Sequence, residues 1–168
     1  ILLKKHMNKN FRVMNNIQNE SFDAFIISVG TPFDNNAERP VLDQLINGTK
    51  EVSAMLTDNS LVVVRSTVPV GATRGVVKPL LDKTGKKYSL AFCPERTAEG
   101  VAIKELLELP QIIGGLDNES VEKAFALFRK VTPTIVEVES LEAAEMIKLI
   151  NNCYRDLNFA FANEIALI

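Results

Sequence analysis

Three short apolar runs constrain this chain most. They are FDAFIISV at 22–29, LVVVRST at 61–67 and YSLAFCP at 88–94, with helix-like spacing of apolar residues in the intervals between them. Runs of that length, rich in β-branched and aromatic residues and stopped by turn residues, read as buried strands. Val41, Leu42, Leu45, Ile46, Val52 and Met55 recur at helical spacing over 41–57, although Gly48 weakens the pattern. Residues 33–40, with Asp34, Asn35, Asn36 and Pro40, read as a surface loop. A second helix is predicted from about Thr73 to Lys83, closed by Gly85. Then come a short helix over 101–109, a short strand QIIGG, a helix capped by Asn118 and running to about Lys130, and a last strand TIVEV at 134–138. From Ser140 onward the sequence holds no Gly or Pro and reads as one long helix with Ser140 as its N-cap. Strands alternating with helices imply an α/β domain with a mainly parallel sheet. The long helix is apolar on more than one side, which suits burial between two bodies or two subunits.

At 168 residues the chain can bury one good core. A net charge of -2 gives no footprint for nucleic acid. The basic group Lys4, Lys5, His6, Lys9 and Arg12 reads as a solvated helix face. Cys93 and Cys153 read as free thiols in a reducing, cytoplasmic compartment. The longest apolar tract, from Met146, is broken by Lys148, Asn152, Arg155 and Asp156, which excludes a membrane span. The chain opens at Ile1 with neither an initiator methionine nor an apolar leader, and ends in an uncapped helical pattern. Both ends read as cut, so the expectation is a piece of a longer protein.

In open α/β sheets, ligands bind beyond the carboxyl ends of the strands. Three strands end here in unusual polar loops: Gly30-Thr31-Pro32, Ser66-Thr67-Val-Pro-Val-Gly71 and Cys93-Pro-Glu95-Arg96-Thr97-Ala-Glu99-Gly100. Each alone is most simply a turn. If the strands are parallel neighbours, all three line one crevice. On the long helix, Lys148, Asn152 and Arg155 share one face, with Asn163 near it three turns on. A solvated stripe is the plain reading of such a face. An anion or oxyanion clamp is the other, because Asn152 is a poor helix former unless it bonds to something. Cys93 is either a nucleophile with Glu95 as base or a packing residue at a strand end. His6 is the only histidine, which argues against Ser-His-Asp and Cys-His mechanisms, and no metal-ligand spacing is present.

Taken together, ISVGTP, RSTVPVGAT, CPERTAEG, LPQIIGG and AEMIKLINNCYRDLNFAFANEIALI resemble the UDP-glucose/GDP-mannose dehydrogenase family, the nucleotide-sugar 6-dehydrogenases. They occur in family order over roughly Phe22 to Ile168, and the Cys-Pro-Glu-Arg form is most similar to the UDP-N-acetylmannosamine branch. The resemblance implies a partial Rossmann-like domain at 1–139 that binds NAD. It also implies that 140–168 begins a central helical domain through which the enzyme forms a homodimer. The implied reaction converts the C6 alcohol of a UDP-sugar to a carboxylate through a cysteine thioester, with two NAD⁺ per turnover, and serves surface polysaccharide synthesis. UDP-glucose, UDP-N-acetylglucosamine and GDP-mannose remain alternative substrates. A non-catalytic dimerisation module is the alternative outside the enzyme class.

The same resemblance assigns roles position by position. Thr31 stands for the threonine beside the cofactor, and Thr67 for the one that touches NAD and holds the catalytic water. Glu95 stands for the glutamate that orients or activates that water, and Glu99 for a second glutamate near the nicotinamide. Lys148 and Asn152 stand for the pair that stabilises the oxyanion and holds substrate. Arg96, Thr97 and Arg155 stand for substrate contacts. The Gly-rich dinucleotide fingerprint and the nucleophilic cysteine have no counterpart in these residues. They are expected before Ile1 and beyond Ile168, and the chain alone is expected not to turn over.

Overall fold

The structure is a computed structural model that describes residues 5–7, 9–15, 17, 20–97 and 100–168. Its centre is a five-stranded sheet in the order β1-β4-β5-β6-β7. The strands are β1 (Ala24–Ile27), β4 (Ser60–Val64), β5 (Tyr88–Phe92), β6 (Gln111–Gly115) and β7 (Ile135–Val138). β1, β4 and β5 are parallel neighbours, the condition under which their three loops share one edge. β6 runs antiparallel to β5 and parallel to β7, so the sheet is mainly but not wholly parallel.

Side-chain alternation assigns each face of the sheet to its helices. From β4, Val62 and Val64 point to the face covered by α1 (Asp43–Met55), α2 (Lys78–Asp82) and α5 (Leu141–Ala166). Leu61 and Val63 point to the other face, where Ala124 and Phe128 of α4 (Asn118–Phe128) close the second core. α3 (Ala102–Glu108) lies between β5 and β6 in sequence.

Several local expectations shift. Residues 33–40 are not plain loop: β2 (Phe33–Asp34) and β3 (Arg39–Pro40) pair antiparallel, and Asp34 Oδ1 turns the chain by accepting from the amides of Asn36 and Ala37 at 2.9 and 3.2 Å. The N-cap of α4 is Asp117, one residue before Asn118, because its carboxylate reaches the Ser120 amide at 2.8 Å. The second helix opens with a π-helical turn, Thr73–Val77, before α2, and Gly85 closes it at φ +66°. Ser140 caps α5 as read, accepting from the Ala143 amide at 3.1 Å.

The seat of α5 on the sheet comes from the glycine pair of β6. A methyl group on Gly114 would stand 2.2 Å from the Ser140 carbonyl oxygen and 2.8 Å from the Ala144 Cβ. Only hydrogen lets the start of α5 approach this closely. Glu145, fully buried one turn further on, accepts from the amides of Gly71 and Thr73 at 2.5 and 2.8 Å. Beside it Arg74 pairs with Glu142 at 2.5 Å. These bonds join α5 to the loop after β4. From about Ile150 onward, nearly every residue of α5 is exposed. Among the described residues no helix is long and apolar enough to cross a membrane.

Candidate active site

The loops after β1, β4 and β5 lie along one edge of the sheet, since their strands are parallel and adjacent. The first two are bonded together. Ser66 Oγ accepts from the Val29 amide at 2.7 Å and donates to the Val29 carbonyl at 2.8 Å. The Thr31 hydroxyl donates to the Thr67 carbonyl at 2.5 Å. From α1, Gln44 Oε1 accepts from the Gly30 amide at 3.1 Å. Thr31 therefore braces the Thr67 backbone, while the Thr67 hydroxyl makes no hydrogen bond among the described residues. A dinucleotide fits this part of the edge only at one end. Gly30 is exposed and the Thr67 hydroxyl is unspent, but no G-x-G-x-x-G occurs in the 168 residues to cradle a pyrophosphate.

The third loop is built around Glu95. Its Oε1 accepts from the amides of Arg96 and Thr97 at 2.8 and 2.9 Å, and its Oε2 takes the Arg65 guanidinium. Burial opposes the charged form, but the Arg65 and Thr97 bonds outweigh it and lower the carboxyl to about 2. The Lys148 ammonium of α5 reaches the backbone carbonyl of the same residue. Burial lowers the Lys148 pKa, as do the nearby charges of Arg155, Arg96 and Arg65, while Glu95 opposes them. Arg96 donates from Nη1 to the Pro110 carbonyl at 3.1 Å, and its buried Nε has no partner among the described residues.

Between this loop and α5 lies a cavity of about 210 Å³, lined by Arg96, Glu105, Lys148, Asn152, Tyr154 and Arg155 among others. The structure thus gathers Arg96, Lys148, Asn152 and Arg155 around one space, with Glu95 bonded to Lys148 beside it. Thr97 sits in the same loop, and Thr31 and Thr67 pair on the β1–β4 part of the edge. Glu99 lies outside the described residues, as does Lys4 of the basic group. A larger cavity, about 620 Å³, opens elsewhere beside α4 and β7, but its carboxylates Asp117, Glu122, Glu137 and Glu139 would repel a phosphate.

Cys93 is a packing residue at the end of β5. It is fully buried in the core under α4, and burial pushes its thiol up to about 12 despite the nearby Arg65. Cys153 is an exposed free thiol on α5. Among the described residues no group of three or more His, Cys, Asp or Glu side chains could hold a metal ion.

Sequence reasoning missed Arg65 and Gln111. Arg65 donates from Nη1 to Gln111 Oε1 at 3.0 Å, and Gln111 Nε2 donates to the carbonyls of Ile112 and Pro94 at 2.8 and 3.3 Å. One signal was available: a cation directly follows the apolar stretch Leu61–Val64, where a fully buried strand leaves no room for a charge without a partner.

Comparison with known proteins gives the family and the fold. The family model for the NAD binding domain of the UDP-glucose/GDP-mannose dehydrogenase family matches residues 1–132. A UDP-N-acetyl-D-mannosamine dehydrogenase of Campylobacter jejuni is 36% identical over 160 residues, covering 89% of this chain and 39% of its own length. Among solved structures, the UDP-D-ManNAc dehydrogenase of Pyrococcus horikoshii superposes with a TM-score of 0.79 at 34% identity, over 86% of this chain and 35% of that one. GDP-mannose dehydrogenase from Pseudomonas aeruginosa does so with a TM-score of 0.77 at 31% identity, over 85% and 34%. The chain spans about two-fifths or less of the length of these relatives. With a family model that covers most of its residues and relatives about a third identical over most of its length, this chain belongs to the UDP-glucose/GDP-mannose dehydrogenase family and carries its NAD-binding domain.

Proposed function

We propose that this chain is part of an NAD-dependent 6-dehydrogenase that oxidises the C6 alcohol of UDP-N-acetylmannosamine to a carboxylate for surface polysaccharide synthesis. The observation that carries the reading is the meeting of the Glu95–Thr97 loop with Lys148 and Asn152 around one cation-lined cavity. Lys148 and the Asn152 amide are donors one helical turn apart on a rigid element, suited to an oxyanion developing at C6. Arg96 and Arg155 suit the anionic groups of a nucleotide sugar. Glu95, already ionised and held by its loop, accepts a hydrogen bond from a water rather than acting as a strong base. NAD⁺, when bound, accepts the hydride, and Thr31, Thr67 and Glu99 would border it.

Oxidation past the aldehyde needs a covalent trap, and a cysteine thioester is the one the family resemblance implies. The buried Cys93 thiol is unsuited to it, and Cys153 lies on the helix α5 rather than in the Gly-rich loop that the family resemblance implies for the nucleophile. The nucleophile therefore belongs to a part of the enzyme outside these residues, and the chain alone does not turn over. Residues 1–139 serve as the later part of the NAD-binding domain, and 140–168 as the start of a central domain. Through α5 the enzyme forms a homodimer, and it works in the cytoplasm. The test is NADH formation by the intact enzyme with UDP-N-acetylmannosamine, UDP-N-acetylglucosamine, UDP-glucose and GDP-mannose. Two NADH per sugar, fastest with the first, is the expected result. A clear preference for another of the four would move the substrate, and no NADH with any would sink the reading.

A further inference from the structure

Arg65 occupies an unusual place for a cation. It follows the fully buried strand β4, and its side chain is only 9% exposed. Taking a guanidinium out of water is costly unless its donors are met. Here Nη2 meets Glu95 and Nη1 meets Gln111, while the group lies over the Phe128 ring with its carbon 5.0 Å from the centroid. Gln111 is itself tied to the carbonyls of Ile112 and Pro94. The planar fork of an arginine, clamped this way by β6 and α4, has one direction in which to hold a carboxylate.

A carboxylate offers about four acceptor positions. Those of Glu95 already receive Arg65 and the amides of Arg96 and Thr97, which leaves about one, facing the Thr97 hydroxyl. Lys148 bonds the backbone carbonyl of Glu95 rather than its carboxylate. Two cations thus approach one residue: Arg65 bonds its carboxylate, while Lys148 bonds its carbonyl and feels the carboxylate charge only from a distance.

We propose that Arg65 is the positioning residue of this site: by taking the Glu95 carboxylate it aims that side chain's remaining acceptor and leaves the Lys148 ammonium, held on the Glu95 carbonyl, available to an anionic oxygen of the substrate. The assignment rests on the dehydrogenase reading above. The charged and titratable groups around Glu95 are Arg65 at the end of β4, Cys93 and Arg96 on its own strand and loop, Glu105 on α3, and Lys148 with Arg155 on α5. Without Arg65, burial acts on Glu95 with less to oppose it, so its pKa rises and its carboxylate turns toward Lys148. A site that needs the ionised carboxylate then loses activity as pH falls through the raised pKa. With Arg65 present, that loss lies near pH 2, below the working range.

The experiment uses the intact enzyme and the variants Arg65→Met and Arg65→Lys. It records kcat and KM from pH 5 to 9, and a ¹³C-detected titration of the Glu95 carboxyl without substrate. Arg65→Met is expected to lose up to roughly 10²-fold in kcat, the scale of a lost oxyanion donor. It should also gain an acid limb, with Glu95 titrating at a higher pH than in the wild type. Arg65→Lys, which keeps the charge but not the fork, should recover the flat acid side and part of kcat. If Arg65→Met fails to fold, Arg65→Gln is read in the same way. A kcat profile parallel to the wild type, with Glu95 titrating as before and only thermal stability reduced, overturns the proposal. An intact wild type that oxidises no nucleotide sugar overturns the functional reading instead. In that case the titration still decides whether Arg65 holds Glu95: a raised pKa in the variant supports it, and an unmoved one overturns it.

Discussion

At the scale of single residues, the site depends on how charge is divided. Glu95 is spent on Arg65 and on its own loop, so Lys148 keeps its ammonium for substrate. In the intact enzyme, Lys148→Ala should therefore lower kcat by roughly 10²-fold or more, while substrate binding weakens less. Steady-state kinetics checks it, and an unchanged kcat with only poorer yield would make Lys148 a structural residue. The residue types were legible in the sequence: a lysine and an asparagine one turn apart on a helix without breakers, and a polar loop after a buried strand. The partner of Glu95 was not. Arg65 and Glu95 are 30 positions apart, and neither spacing nor periodicity says which cation a carboxylate will meet. Cys93 shows the opposite case, where a reactive residue type at a strand end proves inert because the strand buries it.

At the scale of elements, α5 reaches the site because two contacts register it. The Gly114 backbone lets its first turn touch β6, and Glu145 fastens its second turn to the loop that carries Thr67. Glu145→Ala would leave the buried Thr73 amide without its acceptor, at roughly 1–3 kcal/mol, with a smaller loss at the half-buried Gly71 amide. Glu142→Ala, which removes only the half-exposed pair with Arg74, should cost less than about 1 kcal/mol. Urea unfolding midpoints of the two variants give the comparison, and equal small losses would remove Glu145 from this role. The start and cap of α5 were readable from Ser140 and the uninterrupted helical pattern. Its anchor was not, since a glutamate inside a helix looks locally like any solvated one.

At the scale of the whole molecule, the second half of α5 is what this domain leaves open. Leu157, Phe161 and Ile165 are 68%, 66% and 55% exposed, and apolar side chains in such a row are costly to leave in water. In the proposed homodimer they are covered, so Phe161→Glu in the intact enzyme should shift the mass seen by light scattering from dimer to monomer. A wild type that is monomeric at micromolar concentration would count against the dimer.

Periodicity by itself determined the alternation of strands and helices, the polar loops that end three of the strands and the long terminal helix, because each follows from runs of apolar residues within a dozen positions. The direction of β6 was beyond its reach. A strand buried on both faces shows the same apolar run whichever way it points, and its antiparallel pairing with β5 became visible only in the sheet. The pairing of Arg65 with Glu95, the close seat of α5 on Gly114 and the reach of Lys148 to the Glu95 carbonyl were likewise decided by the tertiary structure. Each is a contact between segments 26 or more residues apart, made or withheld by strand order and helix packing, and nothing in the local pattern of either segment carries it.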